Sequence, residues 1–318
     1  MAIAPLDPAA IDAAVTRAHS LHRNNARGRN ASYIPALAGA DPDLFAVCAM
    51  TPDGHASTAG DVEHEFAIES VSKVFTLALV LEERGQRAVR ATLGANATGG
   101  AFDSVLALER HHDKPTSPMV NAGAIAATGL VRAADAAERW RKIMDIQSAF
   151  AGRPLSMSAE INASEQATNG HNKAIAWLMH SAGTLSCDPM EACAVYTRQC
   201  STMLTTVDLA VMGATLAAGG VNPRTGLRVM THSNVSCLLA EMVTEGMYTQ
   251  SGDWAYTVGV PAKSGVAGAV LAVVPGRLAV AAFSPRLNKA GNSVRGWYGV
   301  AEVVKRLKLS LFDNYDQR

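Results

Sequence analysis

The sequence has little charge and no excess of either sign. Lys and Arg together number 28, Asp and Glu together number 28, and charged residues make up 18% of the 318 residues, against about 25% in typical soluble proteins. A surface that binds nucleic acid or an anionic membrane needs a clustered excess of Lys and Arg, so neither partner is predicted. Apolar residues make up 48% of the chain, which suits a large core and excludes disorder as a global description.

Long hydrophobic runs and targeting signals are also missing. The longest apolar stretch, residues 74–81, is far shorter than the ~20 residues that a membrane-spanning helix needs. The first residues contain no basic segment, and Pro5 and Pro8 interrupt any hydrophobic stretch there. We therefore expect a cytoplasmic protein.

Cysteine and histidine occur without the spacings that would give them a structural role. The five cysteines form no C-x-x-C pair, so neither a disulfide framework nor a zinc site is predicted. The nine histidines show no H-E-x-x-H or similar pattern, and no metal site is expected.

The order of the predicted elements changes along the chain. Strand patterns occur near the ends, at residues 44–50, 65–68, 268–274 and 278–283, whereas residues 70–240 are mainly helical in pattern. Helices are also predicted at residues 11–22 and 293–311. Since a simple alternation of strand and helix does not fit, we expect one antiparallel sheet built from both ends of the chain, with the helical segment inserted as a second lobe.

The segment most informative about chemistry is an S-x-x-K pair, Ser70 and Lys73, at the start of a predicted helix. Residues three apart share a helix face, so the lysine amine can reach the serine hydroxyl. The helix that follows is apolar on all sides, which predicts that Lys73 is buried. Burial lowers the pKa of a lysine, and a neutral Lys73 could activate Ser70 as a nucleophile.

S-x-x-K alone is a weak signal, because Ser70 could equally be a helix N-cap and Lys73 a surface residue. A second box, Lys263-Ser264-Gly265, follows where the strand pattern resumes, as in acyl-transfer sites of the S-x-x-K type. It is not a phosphate-binding loop, since Ala262 precedes the lysine and no G-x-x-x-x-G-K frame exists.

These boxes belong to a longer series of segments. With this series the chain resembles the bacterial serine-dependent glutaminase family, which shares the fold of β-lactamases and penicillin-binding proteins. The matching segments are residues 33–37 (YIPAL), 70–75 (SVSKVF), 118–125 (PMVNAGAI), 164–165 (SE), 172 (N), 199–201 (QCS), 246–248 (GMY), 261–266 (PAKSGV) and 291–294 (GNSV).

The resemblance implies a fold and a domain arrangement. The expected class is α/β (α+β), β-lactamase/transpeptidase-like, with an antiparallel sheet from the N- and C-terminal segments flanked by helices and an inserted all-helical lobe. Residues 1–85 plus 241–318 would form the sheet lobe with Ser70, Lys73 and the Lys263-Ser264-Gly265 strand. Residues 86–240 would form the helical lobe, and the active site would lie between the two lobes.

The resemblance also implies an activity, the hydrolysis of L-glutamine to L-glutamate and ammonia, with no cofactor. Ser70 would be the nucleophile, Lys73 its base and Tyr248 a second proton carrier. The N–H groups of Ser70 and Val266 would form the oxyanion hole, and Glu165 would pair with the substrate's α-ammonium. The implied substrate-binding set is Tyr33, Ser70, Asn121, Glu165, Asn172, Tyr196, Tyr248 and Val266. A homodimer or homotetramer is expected, with no nucleic-acid or membrane partner.

Several residues depart from the family pattern, among them two carboxylates, and two alternatives stay open. Glu69 stands where the family usually has Gln, and Glu245 where it usually has Cys; both would add a carboxylate near the site, and Glu69 could raise the pKa of Lys73. One alternative is a catalytically weak or inactive amino-acid-binding protein of glutaminase type. The other is a penicillin-interactive serine hydrolase of the same fold.

Overall fold

A computed structural model describes residues 5–313 of the chain. Its strands, in chain order, are β1 (Ala46–Met50), β2 (Ala56–Gly60), β3 (Phe66–Ala67), β4 (Ser156–Met157), β5 (Thr202–Leu204), β6 (Ala262–Ser264), β7 (Ala269–Val274) and β8 (Leu278–Phe283).

The helices lie mainly between the strands of the two chain ends. They are α1 (Pro8–His22), α2 (Pro35–Ala38), α3 (Ser72–Arg84), α4 (Gln86–Leu93), α5 (Val105–Glu109), α6 (Asn121–Leu130), α7 (Ala136–Ala151), α8 (Ala159–Thr168), α9 (Gly170–Ser181), α10 (Pro189–Cys200), α11 (Thr206–Ala217), α12 (His232–Glu245), α13 (Ser251–Thr257) and α14 (Val294–Arg306). Two short 3₁₀ helices, Glu69–Val71 and Tyr248–Gln250, precede α3 and α13.

The main sheet is built from strands of both chain ends, which confirms the prediction. Its five strands run in the order β2-β1-β8-β7-β6, and every pair is antiparallel. Helices α1 and α14 pack on one face and α11 on the other. Because β1, β7 and β8 are therefore covered on both faces, all their side chains are buried and their sequences are continuously apolar.

The strand predicted near residues 65–68 forms, but it joins a different sheet. As β3 it pairs with β5 in a second, three-stranded sheet of order β3-β5-β4, and the Ile68 N–H donates to the Thr202 carbonyl oxygen (2.8 Å). The Phe66 ring stacks on Phe283 at the end of β8, with ring centroids 4.2 Å apart. The segment just before Ser70 is thus fixed both to the helical part of the chain and to the main sheet.

Two helix ends differ from their predicted positions for local reasons. The helix predicted from Ser70 begins as the 3₁₀ turn Glu69–Val71 and becomes α-helical only at Ser72. The C-terminal helix ends at Arg306 rather than near residue 311, because Lys308 has a positive φ of 51° that interrupts helical geometry. Helix α11 begins with a complete capping box formed by Thr205 and Asp208.

Helix α11 connects the two parts of the chain. It belongs by sequence to the segment 86–240, yet it packs against β1, β7 and β8. A Cβ added at Gly213 would lie 2.5 Å from Leu271 Cδ1 on β7, so the contact depends on a glycine. Among the described residues, no helix is both long and apolar enough to cross a membrane.

Candidate active site

Ser70 lies on a strained turn at the junction of the two sheets and α3. The preceding residue, Glu69, has a φ of +50°, a left-handed conformation that non-glycine residues rarely adopt and that is concentrated at functional sites. Ser70 itself is 6% exposed. The turn brings the serine hydroxyl against the first helical turn of α3, where Lys73 follows.

Lys73 is buried and contacts Ser70 directly. Its Nζ lies 3.2 Å from Ser70 Oγ and 2.7 Å from Asn121 Oδ1, and the side chain is 1% exposed. Burial lowers the pKa of Lys73 to about 8, an effect that the negative charges of nearby groups partly offset. A lysine with such a pKa is neutral in an appreciable fraction of molecules near neutral pH, as a general base requires.

Asn121, the first residue of α6, connects three of the predicted site residues. Its Oδ1 accepts hydrogen bonds from Lys73 and from the Tyr196 hydroxyl on α10 (3.1 Å), and its Nδ2 donates to Asn172 Oδ1 on α9 (2.9 Å). Lys73 Nζ also lies 5.8 Å from the centroid of the Tyr196 ring. Side chains from four helices therefore converge behind the serine.

Tyr248 is another close neighbour of Ser70. Like Glu69 it has a positive φ, 56°, and its hydroxyl donates to the Ser264 carbonyl oxygen (3.0 Å). The same hydroxyl lies within hydrogen-bonding reach of Ser70. Burial raises the pKa of Tyr248, so the phenol keeps its proton at neutral pH and can exchange it only with a strongly basic neighbour.

Lys263 is a second buried lysine, and β6 holds it in place. Its Nζ donates to the Ser264 carbonyl oxygen (2.7 Å) and lies 4.4 Å from the centroid of the Tyr248 ring. Burial and the positive charge of Lys73 lower the pKa of Lys263 well below its usual range. The two lysines thus differ in position: Lys73 contacts the serine, whereas Lys263 contacts the tyrosine and its strand.

The turn after β6 packs tightly against the Ser70 turn. A Cβ at Gly265 would lie 2.9 Å from the Ile68 carbonyl oxygen and 3.4 Å from Glu69 Cβ, so a larger residue would separate the two segments. This contact holds Gly265, the residue before Val266, against the segment that leads into Ser70. Val266 and Tyr33 line an open groove of about 1040 Å³, whose lining does not include Ser70, Lys73 or Asn121.

Two carboxyl groups meet beside the serine. Glu69 and Glu165 are 3% and 9% exposed, and their carboxylate oxygens lie with Cys200 Sγ within 4.8 Å of one another. Burial raises the pKa of both carboxyls, that of Glu165 to about 7. A group of two carboxylates and a thiol could hold a metal ion or a positively charged ligand group, and Lys73 is the cation nearby whose charge acts on Glu69.

Sequence reasoning did not find this pairing. In the sequence, Glu69 differs from the family pattern by residue type, and Cys200 is part of a matching segment. Their proximity to Glu165 depends on how α3, α8 and α10 pack, which the sequence does not show. The other unusual carboxylate, Glu245, accepts hydrogen bonds from the Thr98 N–H (2.8 Å) and hydroxyl (2.5 Å). It thus holds the loop that carries Phe102, whose ring contacts Tyr248.

Comparisons with known proteins agree with this arrangement. The family model described as Glutaminase matches residues 28–312. A protein named Glutaminase from Mycobacterium ulcerans (strain Agy99) is 60% identical over 98% of both chains, and Glutaminase 1 from Escherichia coli (strain K12) is 56% identical over 95% of this chain and 96% of its own. A solved structure described as "Probable glutaminase ybaS" superposes with a TM-score of 0.96 at 55% identity, covering 96% of this chain and 99% of its own.

Proposed function

The chain belongs to the glutaminase family, and on that premise we propose that this glutaminase hydrolyses L-glutamine through a covalent γ-glutamyl ester on Ser70. The observation that carries the mechanism is the contact between Lys73 Nζ and Ser70 Oγ, 3.2 Å, in a buried site. A hydroxyl next to a desolvated amine is the arrangement that an S-x-x-K nucleophile needs.

The first half of the reaction forms the ester. Neutral Lys73 takes the Ser70 proton while Oγ attacks the side-chain amide carbon, and the developing oxyanion accepts hydrogen bonds from the N–H groups of Ser70 and Val266. The amide nitrogen then receives a proton from Lys73 or Tyr248, the C–N bond breaks, and ammonia leaves.

The second half hydrolyses the ester. Lys73, which is neutral again, takes a proton from water either directly or through Tyr248. The water oxygen attacks the same carbon. The bond to Ser70 Oγ breaks, the serine regains a proton, and L-glutamate is released. This sequence balances with water as the co-reactant and calls for no cofactor.

Recognition of the amino-acid end falls to the groups around Asn121. In the proposal Tyr33, Asn121, Glu165, Asn172 and Tyr196 hold the substrate, with Glu165 against the α-ammonium. A site built to pair buried polar groups with a ligand rejects analogues that leave them unpaired. The proposal therefore includes a strong preference for a free amino acid.

A trapping experiment tests the acyl-enzyme. Acid quenching during turnover of L-glutamine should leave a γ-glutamyl mass increment on the peptide that contains Ser70, and added hydroxylamine should divert product to γ-glutamyl hydroxamate. In Ser72→Ala, which keeps Ser70, the increment should remain on the same residue. Turnover with neither a covalent increment nor hydroxamate would contradict the proposed ester.

A further prediction concerns Tyr248. Removing its hydroxyl in Tyr248→Phe should lower kcat by about 10²- to 10³-fold, the usual size of a general acid–base contribution, because the relay next to Ser70 is lost. The control Tyr256→Phe alters a tyrosine that is 92% exposed and should match the wild type in ammonia release. A kcat for Tyr248→Phe within twofold of wild type would remove Tyr248 from the mechanism.

The proposal also covers arrangement, assembly and location. We place the site between a sheet lobe, residues 1–85 plus 241–318, and a helical lobe, residues 86–240. A homodimer or homotetramer in the cytoplasm accords with the small charged fraction of 18% and the free thiols.

A further inference from the structure

The carboxyl groups of Glu69 and Glu165 form a buried pair that the proposed chemistry uses only in part. The left-handed backbone of Glu69 turns its side chain toward α8, where Glu165 lies. Within residues 5–313, one oxygen of each carboxyl group is buried without a hydrogen-bond partner. Two partnerless acceptor oxygens in one buried place favour a ligand that brings hydrogen-bond donors and positive charge.

Such a pair cannot hold two negative charges at neutral pH. Two carboxylates in hydrogen-bonding contact and away from water retain one proton between them. Burial raises the pKa of both carboxyls, and the charge of Glu165 and a hydrogen bond between the two groups raise that of Glu69 further. The proton is therefore shared by the pair in a hydrogen bond from one carboxyl to the other.

Before a ligand binds, the surroundings of the pair supply little positive charge that could stabilise two ionised carboxylates. The cation that faces it, Lys73 on α3, is already bound to Ser70 and Asn121. The other titratable groups around the pair are phenols and a thiol, which are neutral near pH 7. They are Tyr33 from the segment before α2, Tyr196 and Cys200 on α10, and Tyr248 from its 3₁₀ helix.

We propose that Glu69 and Glu165 together form the receptor for the α-ammonium of glutamine, and that binding of glutamine expels the proton that the pair shares. The ammonium supplies three N–H donors and the positive charge that lets both carboxylates ionise. This inference rests on the proposed function, because it extends the role given there to Glu165. It makes Glu69 a specificity-determining residue, because the Gln that is usual at this position cannot supply a negative charge to the ammonium.

The sign of the pH effect follows from the released proton. A ligand that binds the deprotonated pair binds better as pH rises toward the pKa of the free pair. With one proton released, the dissociation constant of L-glutamine should fall about tenfold per pH unit between pH 7 and 8, above the pKa of about 7 of Glu165. In Glu69→Gln the amide can still donate to Glu165 but has no proton to lose, so this dependence should flatten.

Calorimetry can count the proton directly. Ser70→Ala is titrated with L-glutamine at pH 8 in two buffers of different ionisation enthalpy, and wild type is titrated with the product L-glutamate. We expect about one proton to be released per ligand bound. The double variant Ser70→Ala/Glu69→Gln should release less than about a third of a proton per ligand. The matched control Glu245→Gln removes an equally buried carboxyl and should leave the count unchanged.

The outcomes separate this inference from the mechanism it extends. If neither Ser70→Ala nor wild type released a proton on binding its ligand, the inference would be overturned, whether or not Glu69→Gln folds. Equal proton release with and without the Glu69→Gln substitution would overturn it as well. A glutamine analogue without the α-amino group, 4-carbamoylbutanoate, should bind without releasing a proton. Ammonia release that persists in Ser70→Ala would instead contradict the proposed function, and the count with L-glutamate would still stand as a test of the pair.

Discussion

Replacing Ser70 by alanine is expected to lower kcat for ammonia release by about 10⁴-fold or more, the loss typical of removing a catalytic nucleophile. The physical reason is that the alanine cannot form the ester, so the amide would have to react with water directly. Steady-state ammonia release from L-glutamine, followed at saturating substrate, measures the effect. Binding should survive, because the contacts to the amino-acid end do not involve the hydroxyl.

A matched serine is available for comparison. Ser72 lies two residues away and is also buried, but its hydroxyl contacts Gln199 and Cys200 rather than Lys73. Ser72→Ala should retain activity within about tenfold of wild type, since it changes packing and not the nucleophile. Comparable activity in Ser70→Ala and wild type would show that the acyl group, if one forms, is carried elsewhere.

The sequence was sufficient to predict the main sheet because its strands carry their own signals. The continuous apolar runs of β7 and β8, separated by Pro275-Gly276-Arg277, specify a buried hairpin. The partner of β3 could not be predicted in the same way. A strand of two residues has no usable periodicity, and its pairing with β5 depends on tertiary contacts such as the stacking of Phe66 on Phe283.

The candidate site shows the same division between local and tertiary information. The spacing of Ser70 and Lys73 and the apolar helix around them predicted a buried contact, and the structure has it. The pairing of Glu69 with Glu165 was out of reach, because it needs the left-handed φ of Glu69 and the packing of α8 on the site. Glu245 adds a carboxylate near the site, as expected: its charge raises the pKa of Lys73, while its own oxygen accepts hydrogen bonds from Thr98.

Replacing Lys73 by methionine is expected to lower kcat by about 10³- to 10⁴-fold, near the upper range for loss of a general base. Methionine fills much of the same buried volume but cannot accept the Ser70 proton. In wild type, kcat should rise with pH toward a plateau with an apparent pKa near 8, because only neutral Lys73 acts as the base. The measurement is kcat for ammonia release at saturating L-glutamine between pH 6 and 9, which separates this effect from proton release on substrate binding.

Two further variants distinguish the base from a mere positive charge. Lys73→Arg keeps the charge, but a guanidinium stays protonated throughout this pH range, so its kcat should be as low as that of Lys73→Met and independent of pH. Lys263→Met removes the other buried lysine, which contacts Ser264 and Tyr248 rather than Ser70, and should preserve the pH dependence even where the rate falls. If the rise of kcat with pH vanished in Lys263→Met and persisted in Lys73→Arg, the base would be Lys263, and the short contact between Lys73 and Ser70 would serve to orient the serine.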